Sequence, residues 1–496
     1  MITASTQPLA RLSTGSPALD EILGGGLPVR SLSVIAGEPG SGKTLFALQA
    51  LFTLAKAGCK VIYFSTLSEP SLKLIQYMQQ FSFFDDKLIG KDVQFVDLGS
   101  AVRSRNADLA LETIVSRVEQ EEPALVVIDS FKAMHDLFPD VGAARTFVYD
   151  LAVHMASWGA STLFVGEYTD EEIQQFAEFA IADGIIRFST KREGLTAVRQ
   201  VEVLKMRGSA SIAGLHFFEI GPSGPTFFPR VRASESNASG EQISPEAAPK
   251  VAARAPTGTA QLDQMLGGGF PRASTTVVQG ASGTGKTILA LQFLLEGARK
   301  GEPGIFFTLE ESPEQLRELA RGFGWDLQDF EQRGLLSFRY FSPVELSTDA
   351  FLHRKRALVK ELGAKRAVLD SLTSMALGVP SEQRFRELVY AMTKHFRAQG
   401  VTLILNMEVA EMLGSAQLSG QGISFAADNL VQLKYVELDG KLERGISVLK
   451  ARGIRHASDV RRLHIGDGGL SVGKPFEGLR GVLTGLPVPF DFLAAK

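Results

Sequence analysis

One short stretch decides the fold: Gly280-Ala281-Ser282-Gly283-Thr284-Gly285-Lys286-Thr287. It matches G-x-x-x-x-G-K-[ST], the phosphate-binding loop or P-loop, and it stands between a β-rich run (273–279) and a helix-forming run (288–295). In that setting the glycines let the backbone curl so that its N–H groups point at phosphate oxygens, and the following helix N-terminus adds partial positive charge. We therefore predict that the loop binds ATP, with Lys286 at the β- and γ-phosphates and the Thr287 hydroxyl on Mg²⁺.

A second copy of the motif supports this interpretation. The first half of the chain carries Gly37-Glu38-Pro39-Gly40-Ser41-Gly42-Lys43-Thr44, which follows a β-run at 32–36 and precedes a helix-forming run at 45–56. Two matches in the same strand–loop–helix setting argue against a chance glycine-rich loop that happens to contain a lysine. The sequence therefore predicts a second ATP site in the first half.

The two motifs belong to a repeat that spans most of the chain. Residues 14–28 and 257–271 share the pattern T-G-x-x-x-L-D-x-x-L-G-G-G-x-P, and the offset is constant, since 258 − 15 and 286 − 43 both give 243. A period this long indicates a domain duplication rather than a solenoid. Because residues 233–249 are rich in Ser, Ala, Glu and Pro, they are typical of a linker. We predict domains at 1–232 and 250–487, the linker at 233–249 between them, and a short tail at 488–496.

The composition is that of an ordinary globular protein. The chain has 496 residues, of which 45% are hydrophobic and 22% charged, with a net charge of −3. This balance gives no basic excess for nucleic acid or an anionic membrane. The single cysteine, Cys59, excludes an internal disulfide framework and fits a reducing compartment. Since no segment resembles a secretory signal or a bilayer-spanning run, we expect a cytoplasmic protein.

Each half alternates β-runs with helix-forming runs. In the first half, strands are predicted at 61–65, 93–96, 125–129 and 162–165, and helices at 45–56, 69–81, 108–120 and 143–157. A β-hairpin is predicted near the end of each half, at 184–188 with 198–204 and at 429–435 with 445–449. This order predicts an α/β fold with two tandem P-loop domains, each a mainly parallel sheet flanked by helices.

A strand-end aspartate in each half is a candidate magnesium ligand. Asp129 and Asp370 each close an apolar β-run downstream of a P-loop. At the carboxyl edge of a parallel sheet such an acid can hold Mg²⁺ through water, whereas the alternative is an ordinary turn aspartate. The predicted metal-binding residues are therefore Thr44, Asp129, Thr287 and Asp370. The seven histidines show no metal-ligand spacing, so no other metal is expected.

Two adjacent carboxylates are candidates for the catalytic base. Glu310 and Glu311 follow a β-run that comes after the second P-loop helix, where either could orient or deprotonate an attacking water. The alternative is that they start a helix, where acids favour the free N–H groups. The first half has Ser68 and Glu69 at the matching place, so a hydroxyl replaces the first carboxylate there. Glu69 remains a candidate, but we expect the two halves to differ in chemistry.

A pair of cations closes a late β-run in each half. The pairs are Lys205 with Arg207 and Lys450 with Arg452, each followed by glycine. Residues two apart in a strand point to one face, so each pair is a candidate sensor of the γ-phosphate. The alternative is a solvated strand end.

These features together resemble one family, the KaiC-type ATPases of bacteria and archaea, within the RecA-like group. The shared marks are the G-x-x-x-L-D-x-x-L-G-G-G-x-P motif before each P-loop, both P-loops, Thr308-Leu309-Glu310-Glu311, Asp370 and the paired K-x-R-G, and they cover about residues 12–487. The resemblance implies two stacked rings of RecA-like domains in a hexamer, with ATP bound between neighbours. It would place Lys205, Arg207, Lys450 and Arg452 against the ATP of the adjacent subunit.

The chain departs from that family in three places. In the segment 422–428, which matches the family's Ser-Thr autophosphorylation pair, Ser424 keeps the serine while Phe425 replaces the threonine. A single phosphorylation site at Ser424 and an ordinary loop serine are both open. Only nine residues follow Pro487, so the resemblance does not extend to a tail that binds a KaiA-like activator. Ser68 replaces a family glutamate in the domain to which slow, clock-setting hydrolysis is assigned.

Three functions remain open at this point. The first is an ATP-driven signalling or timing switch with its catalysis in the second domain, possessing an autokinase activity if Ser424 is an acceptor. The second is a DNA-binding RecA- or RadA-like motor, which the near-neutral charge disfavours. The third is a nucleotide-gated scaffold with little catalysis, which presents its ring to a KaiB-like or histidine-kinase partner.

Overall fold

The computed structural model describes residues 10–66, 71–138, 141–193, 196–230, 253–343, 348–379, 381–409, 426–482, 485 and 487–489. The chain divides into two compact units, Met1–Arg230 and Val231–Lys496. Among the described residues, no helix is both long and apolar enough to span a membrane.

The first unit is built on eleven strands among its described residues. They are β1 (Arg11–Leu12), β2 (Leu27–Pro28), β3 (Leu32–Gly37), β4 (Val61–Ser65), β5 (Val93–Asp97), β6 (Leu125–Asp129), β7 (Ser161–Glu167), β8 (Gly184–Glu193), β9 (Thr196–Met206), β10 (Leu215–Gly221) and β11 (Gly224–Phe228). Its helices are α1 (Pro17–Ile22), α2 (Lys43–Lys56), α3 (Ser71–Met78), α4 (Gly99–Arg103), α5 (Ala107–Glu121), α6 (Val141–Ser157), α7 (Asp170–Gln175) and α8 (Ala177–Ile181), with short 3₁₀ helices at Asp86–Leu88 and Phe131–Leu137.

Nine of these strands form one sheet, in the order β11-β10-β9-β8-β3-β7-β6-β4-β5. The strands from β8 to β5 run parallel, and β9 to β11 continue the sheet antiparallel. Strand β3 lies in the interior between β7 and β8, so the P-loop leaves the middle of the sheet at its carboxyl edge. In open parallel sheets this edge is where ligands bind.

The second unit repeats this plan. Its strands are β12 (Arg254–Ala255), β13 (Phe270–Pro271), β14 (Thr275–Gly280), β15 (Gly304–Thr308), β16 (Leu336–Tyr340), β17 (Arg366–Asp370), β18 (Thr402–Glu408), β19 (Asn429–Leu438), β20 (Lys441–Ala451), β21 (Arg461–Gly466), β22 (Gly469–Pro475), β23 (Leu479–Arg480) and β24 (Val488–Pro489). Its helices are α9 (Ala260–Met265), α10 (Lys286–Arg299), α11 (Pro313–Gly322), α12 (Leu327–Gln332), α13 (Thr348–Leu362), α14 (Leu372–Leu377) and α15 (Glu382–Ala398).

The sheet of the second unit has the order β16-β15-β17-β18-β14-β19-β20-β21-β22, which corresponds strand for strand to the first. The predicted fold class is therefore confirmed: two tandem RecA-like α/β domains, each a mainly parallel sheet flanked by helices. The central strands β3, β6, β14 and β17 are buried along their whole length because helices cover both faces of a parallel sheet.

An additional hairpin extends each sheet beyond the predicted one. In the first unit it is β10–β11, whose Phe218 and Phe227 pack against Phe188 of β8, with Phe46 of α2 also against Phe227. The aromatic cluster continues the apolar core past the edge of the parallel strands, which stabilises a hairpin that short alternating runs alone did not reveal.

Candidate functional site

The glycines of both P-loops adopt backbone conformations that other residues avoid. Gly42 has φ 99° and Gly285 has φ 105°, each directly before the first residue of α2 or α10. At the start of the first loop, a Cβ added to Gly37 would lie 1.9 Å from the carbonyl oxygen of Phe188. The G-x-x-x-x-G pattern is thus needed both for the positive φ and for close packing against β8.

Each P-loop lysine folds back over its own loop. Lys43 Nζ donates to the carbonyl oxygen of Glu38 at 2.7 Å, and Lys286 Nζ donates to the carbonyl oxygens of Gly280 and Ala281, both at 2.9 Å. Burial lowers the pKa of both lysines, while nearby carboxylates act in the opposite direction. Both ammonium groups therefore lie inside the cradle, where they can bind phosphate oxygens.

The predicted magnesium ligands meet in both units. Thr44 Oγ1 donates to Asp129 Oδ2 at 2.7 Å, and Thr287 Oγ1 donates to Asp370 Oδ2 at the same distance. A hydroxyl and a carboxylate at the mouth of a P-loop are the hard oxygen donors that Mg²⁺ prefers, so these residues fit a magnesium ion. In both units the structure brings the predicted hydroxyl and carboxylate within hydrogen-bond distance of each other.

Burial sets the protonation of the two aspartates. It raises the pKa of Asp370 to about 6, against the opposing hydrogen bond from Thr287. Burial also raises the pKa of Asp129, which Thr44 and Tyr63 oppose by hydrogen bonding. A dication beside either carboxylate would favour its ionised form.

Tyr63 distinguishes the first site and was not predicted from the sequence. Its hydroxyl donates to Asp129 Oδ2 at 2.9 Å, the same oxygen that Thr44 contacts. The matching residue in the second unit is Phe306, which has no hydroxyl. The strand register of β4 beside β6 brings Tyr63 to Asp129, and nothing in the β4 sequence alone indicates that contact.

Glu310 lies beside the magnesium-ligand pair of the second unit. It is an exposed residue directly after β15, and its Oε1 accepts hydrogen bonds from Ser371 Oγ at 2.6 Å and Ser374 Oγ at 2.5 Å. Ser371 follows Asp370 in the chain, so the carboxylate lies next to the predicted metal site. These two serines were not predicted.

The competing interpretation, that these acids begin a helix, is resolved by the residues that follow. Ser312 caps α11 in a reciprocal capping box with Gln315, and Pro313 is its first residue. Glu310 is therefore not used as a helix cap. Glu311 is half-buried, and burial together with the charge of Glu310 raises the pKa of Glu311. Ser68 and Glu69 lie outside the described residues.

A further strand-end acid flanks each P-loop. Glu167 is paired with Gly37 across β7 and β3, and Glu408 is paired with Gly280 across β18 and β14. Their negative charges raise the pKa values of Lys43 and Lys286, in opposition to burial. They were not predicted from the sequence because the predicted strand at 162–165 ended before Glu167. In addition, the residues around an acid at a strand end do not indicate which strand lies beside it.

The cation pairs lie at the end of a bulged strand. Lys205 Nζ donates to the carbonyl oxygens of Phe179 and Ala180, at 3.4 and 3.2 Å, and Lys450 Nζ donates to that of Ala427 at 2.8 Å. Burial and the adjacent arginine lower the pKa of each lysine. A carboxylate opposes this shift in each unit, Asp183 for Lys205 and Asp428 for Lys450, and Asp183 Oδ1 also accepts from Arg207 Nη1 at 3.4 Å.

A β-bulge occurs at the same place in both hairpins. In the first unit, Lys205 pairs with Ile185 but Val203 pairs with Ile186, so Leu204 is an extra residue. In the second unit Leu449 is extra in the same way. Bulges re-aim the side chains that follow them, and here those side chains are the cations.

The glycine-rich turn before each P-loop has a supporting role. In the first unit, Asp20 Oδ1 accepts from the backbone N–H and hydroxyl of Thr14, at 2.8 and 2.7 Å, which closes the turn. Arg11 then reaches the carbonyl oxygen of Gly208 at 2.6 Å, directly after Arg207. Within the motif itself, the carbonyl oxygen of Leu23 accepts a hydrogen bond from Ser209 Oγ, so the turn contacts the loop that follows the cation pair.

An open cavity of about 780 Å³ adjoins the first P-loop. Its polar end contains Lys43, Thr44 and Asp129, and its apolar part includes Tyr77 and Ile220. A charged end joined to an apolar part suits a nucleotide, whose phosphates are anionic and whose base is flat and weakly polar. Ser424 lies outside the described residues, so its candidacy as an acceptor remains a prediction.

The two sheets, each with a P-loop after an interior strand and an aspartate beside it, define a tandem P-loop protein of the RecA-like group. A family model described as the KaiC ATPase matches residues 12–232 and again residues 255–477. The chain therefore belongs to the KaiC family, and the resemblance noted in the sequence is confirmed.

Named relatives agree over nearly the full length. The chain is 30% identical to the circadian clock protein KaiC3 of Synechocystis sp., across 98% of this chain and 96% of that protein. It is 28% identical to the circadian clock oscillator protein KaiC of Rippkaea orientalis (97% and 92% covered) and to that of Picosynechococcus sp. (96% and 92% covered).

Proposed function

We propose that the chain binds and hydrolyses ATP with Mg²⁺, assembles into a double-ring hexamer, and acts as a nucleotide-driven signalling or timing switch. The observation that carries the proposal is the convergence of Lys286, the Thr287–Asp370 pair and Glu310 at one edge of one sheet. Phosphoryl transfer to water needs these three functions, namely a cation for the γ-phosphate, a metal site and a carboxylate for the water.

Each residue of the second site has a defined task. Lys286 binds the γ-phosphate and stabilises the charge that develops there. Thr287 and Asp370 would hold Mg²⁺, which supplies further neutralisation of phosphate charge when bound. Glu310 Oε1 is occupied by two serine hydroxyls, so its other oxygen is left to orient the attacking water. Glu311 contributes negative charge behind it.

The first site is proposed to bind ATP chiefly for assembly. It retains the cradle, Lys43 and the Thr44–Asp129 pair, which support nucleotide binding. Ser68 stands at the position of Glu310, and a serine hydroxyl is no general base at neutral pH. Glu69 is the remaining carboxylate there, so slow hydrolysis is expected.

The cation pairs are proposed to act on the ATP of a neighbouring subunit. Lys205 with Arg207, and Lys450 with Arg452, each bring two positive charges together on a bulged strand. Arginine supplied from a second subunit is an established way to stabilise phosphoryl-transfer charge. The relatives are named as circadian clock proteins, which supports the switch role. A KaiB-like or histidine-kinase partner and a one-site phosphorylation at Ser424 are proposed from the family resemblance alone.

The decisive experiment measures ATP hydrolysis and phosphate incorporation from labelled ATP. Glu310→Gln should remove most hydrolysis, about 100-fold, because the water loses its orienting carboxylate. Glu314→Gln is the matched control, since Glu314 is exposed on α11 and its carboxylate pairs with Arg317 rather than with the residues of the P-loop. Full activity in Glu310→Gln would contradict the proposed role. Incorporation that Ser424→Ala leaves unchanged would exclude Ser424 as the acceptor.

A further inference from the structure

The hydroxyl contacts of Glu310 assign roles to residues outside the recognised motifs. We propose that Ser374, supported by Ser371, is the positioning residue that holds Glu310 in its hydrolytic orientation. This inference rests on the proposed hydrolytic function of the second site. It adds to that site a residue of α14, whereas Glu310 itself lies in the segment that follows β15.

The geometry leaves only one arrangement of protons when Glu310 is ionised. Both serine oxygens lie within 2.6 Å of the same carboxylate oxygen, and each hydroxyl carries a single proton. Since an ionised carboxylate only accepts, both hydroxyls must donate to Oε1. Hydrogen bonds to a charged group are the strong class, so two of them on one atom fix the side chain.

The serines are themselves held in place. Ser371 is buried, with 1% of its surface exposed, and its Oγ accepts from the backbone N–H of Ser374 at 3.2 Å as the N-cap of α14. The backbone N–H of Leu309 donates to the carbonyl oxygen of Asp370 at 2.8 Å, which anchors the segment carrying Glu310. The two serine hydroxyls on Glu310 Oε1, which we call the serine clamp, therefore connect the segment after β15 with the N-terminus of α14.

Because both serine hydroxyls bind Oε1, Oε2 of Glu310 remains available to a water molecule. Within the part of the chain that the structure describes, Glu310 Oε2 accepts no hydrogen bond, and the residue is exposed. A carboxylate with one oxygen held by two hydrogen bonds leaves the lone pairs of its other oxygen for a water molecule. This arrangement limits Glu310 to one productive orientation.

Comparison with the first unit distinguishes the roles of the two serines. With the offset of the strand-end aspartates, 370 − 129 = 241, Ser371 corresponds to Ser130 and Ser374 corresponds to Ala133. The first unit therefore keeps the first serine and lacks the second. Ser374 accompanies Glu310 in the second unit, whereas the serine after the aspartate occurs in both units.

The test compares steady-state hydrolysis by the full-length protein. Ser374→Ala should lower kcat about tenfold and change KM for ATP by less than about twofold, because a lost hydrogen bond to a charged group affects the orientation of the base and not the cradle. Ser374→Thr keeps a hydroxyl and should retain most of the activity. Ser381→Ala, which removes the N-cap of α15 without touching Glu310, is the control for a general loss of helix stability.

A double-mutant cycle separates positioning from other effects. In the Glu310→Gln background, Ser374→Ala should cause no further loss of kcat. A full tenfold loss in that background, or an unchanged kcat in Ser374→Ala alone, would overturn the positioning role. If the wild-type protein releases no phosphate from ATP, the proposed hydrolytic function fails, and if Glu310→Gln is fully active, the proposed role of Glu310 fails. An inactive Glu310→Gln with a normal Ser374→Ala rejects only the positioning role of Ser374.

Discussion

Lys355 is a fully buried lysine in an aromatic environment. It lies on α13 with no exposed surface, and its Nζ is 3.6 Å from the ring centre of Phe351 and 4.6 Å from that of Phe307. No hydrogen-bond partner for Nζ occurs among the described residues. Burial lowers the pKa of Lys355 well below its usual range, and the aromatic faces compensate for only part of the lost hydration.

Lys355→Met should therefore raise the unfolding midpoint of the protein. Methionine fills a similar volume without a charge to desolvate, and the expected gain in the free energy of unfolding is about 2 kcal/mol. Denaturant unfolding followed by circular dichroism measures it. Lys355→Ala is the paired variant, and it should lose stability because it leaves a cavity. If methionine destabilises as much as alanine, the ammonium group contributes favourably.

At the scale of residues, the sequence predicted what a local motif encodes. Both cradles, their lysines and the strand-end aspartates follow from short patterns, because one loop and one helix start are sufficient to form them. Tyr63, Glu167 and Ser374 were missed for a common reason. Each acts through a neighbour on a different element, and that adjacency depends on sheet register and helix placement rather than on the residue's own flanking sequence.

The pairing of α13 with α15 creates a pH-sensitive contact between two helices. His395 of α15 faces His353 and Arg356 of α13, and these are the charged groups that act on it. Burial, followed by the positive charges of Arg356 and His353, lowers the pKa of His395 to about 4. The folded protein therefore holds this imidazole neutral at pH values where an unfolded chain protonates it.

Stability should consequently fall as the pH decreases from about 6.5 towards 4, because the unfolded chain binds a proton there that the folded chain does not. His395→Gln removes the titrating group and should reduce the difference between the unfolding midpoints at pH 7.5 and pH 5. The exposed His464 provides the matched control, and His464→Gln should leave that difference as in the wild type. An unaltered difference in His395→Gln would show that other groups cause the acid sensitivity.

At the scale of elements, long apolar runs were predicted well and their ends less well. The strand at Leu125–Asp129 matches the prediction in both bounds, since an entirely buried strand is defined by its apolar residues. The helix predicted at 69–81 ends at Met78 instead. Phe81 leaves the helix to stack on Phe83, a tertiary contact that helical periodicity does not reveal.

Across the whole molecule, the duplication preserved one scaffold and let its chemistry diverge. Both sheets share strand order, cradle, aspartate and bulge, whereas among the described residues a strand-end carboxylate bound by two serine hydroxyls occurs in the second unit alone. A nucleotide at the first site would then serve mainly to hold subunits together, because binding stabilises whichever state contains the intact site.

Lys43→Ala should accordingly dissociate the assembly, while Lys286→Ala should abolish most hydrolysis and leave the assembly intact. Each variant removes the phosphate-binding cation of one cradle, so the two are matched controls for each other. Light scattering in the presence of ATP reports the mass, and phosphate release reports hydrolysis. The reverse result, an intact Lys43→Ala assembly without hydrolysis, would contradict this division of labour.

The paired bulges carry a consequence for how this protein can vary. Lys205 lies opposite Ile185 and Val203 lies opposite Ile186, so deleting Leu204 would restore regular pairing with both partners kept, and deleting Leu449 would do the same between Lys450 and Val448. Leu204 is 42% exposed, so its side chain contributes little to the packing at the bulge. A single-residue deletion at either bulge is therefore expected to keep the cations on their face of the sheet and to remove the extra twist that the bulge gives the strand.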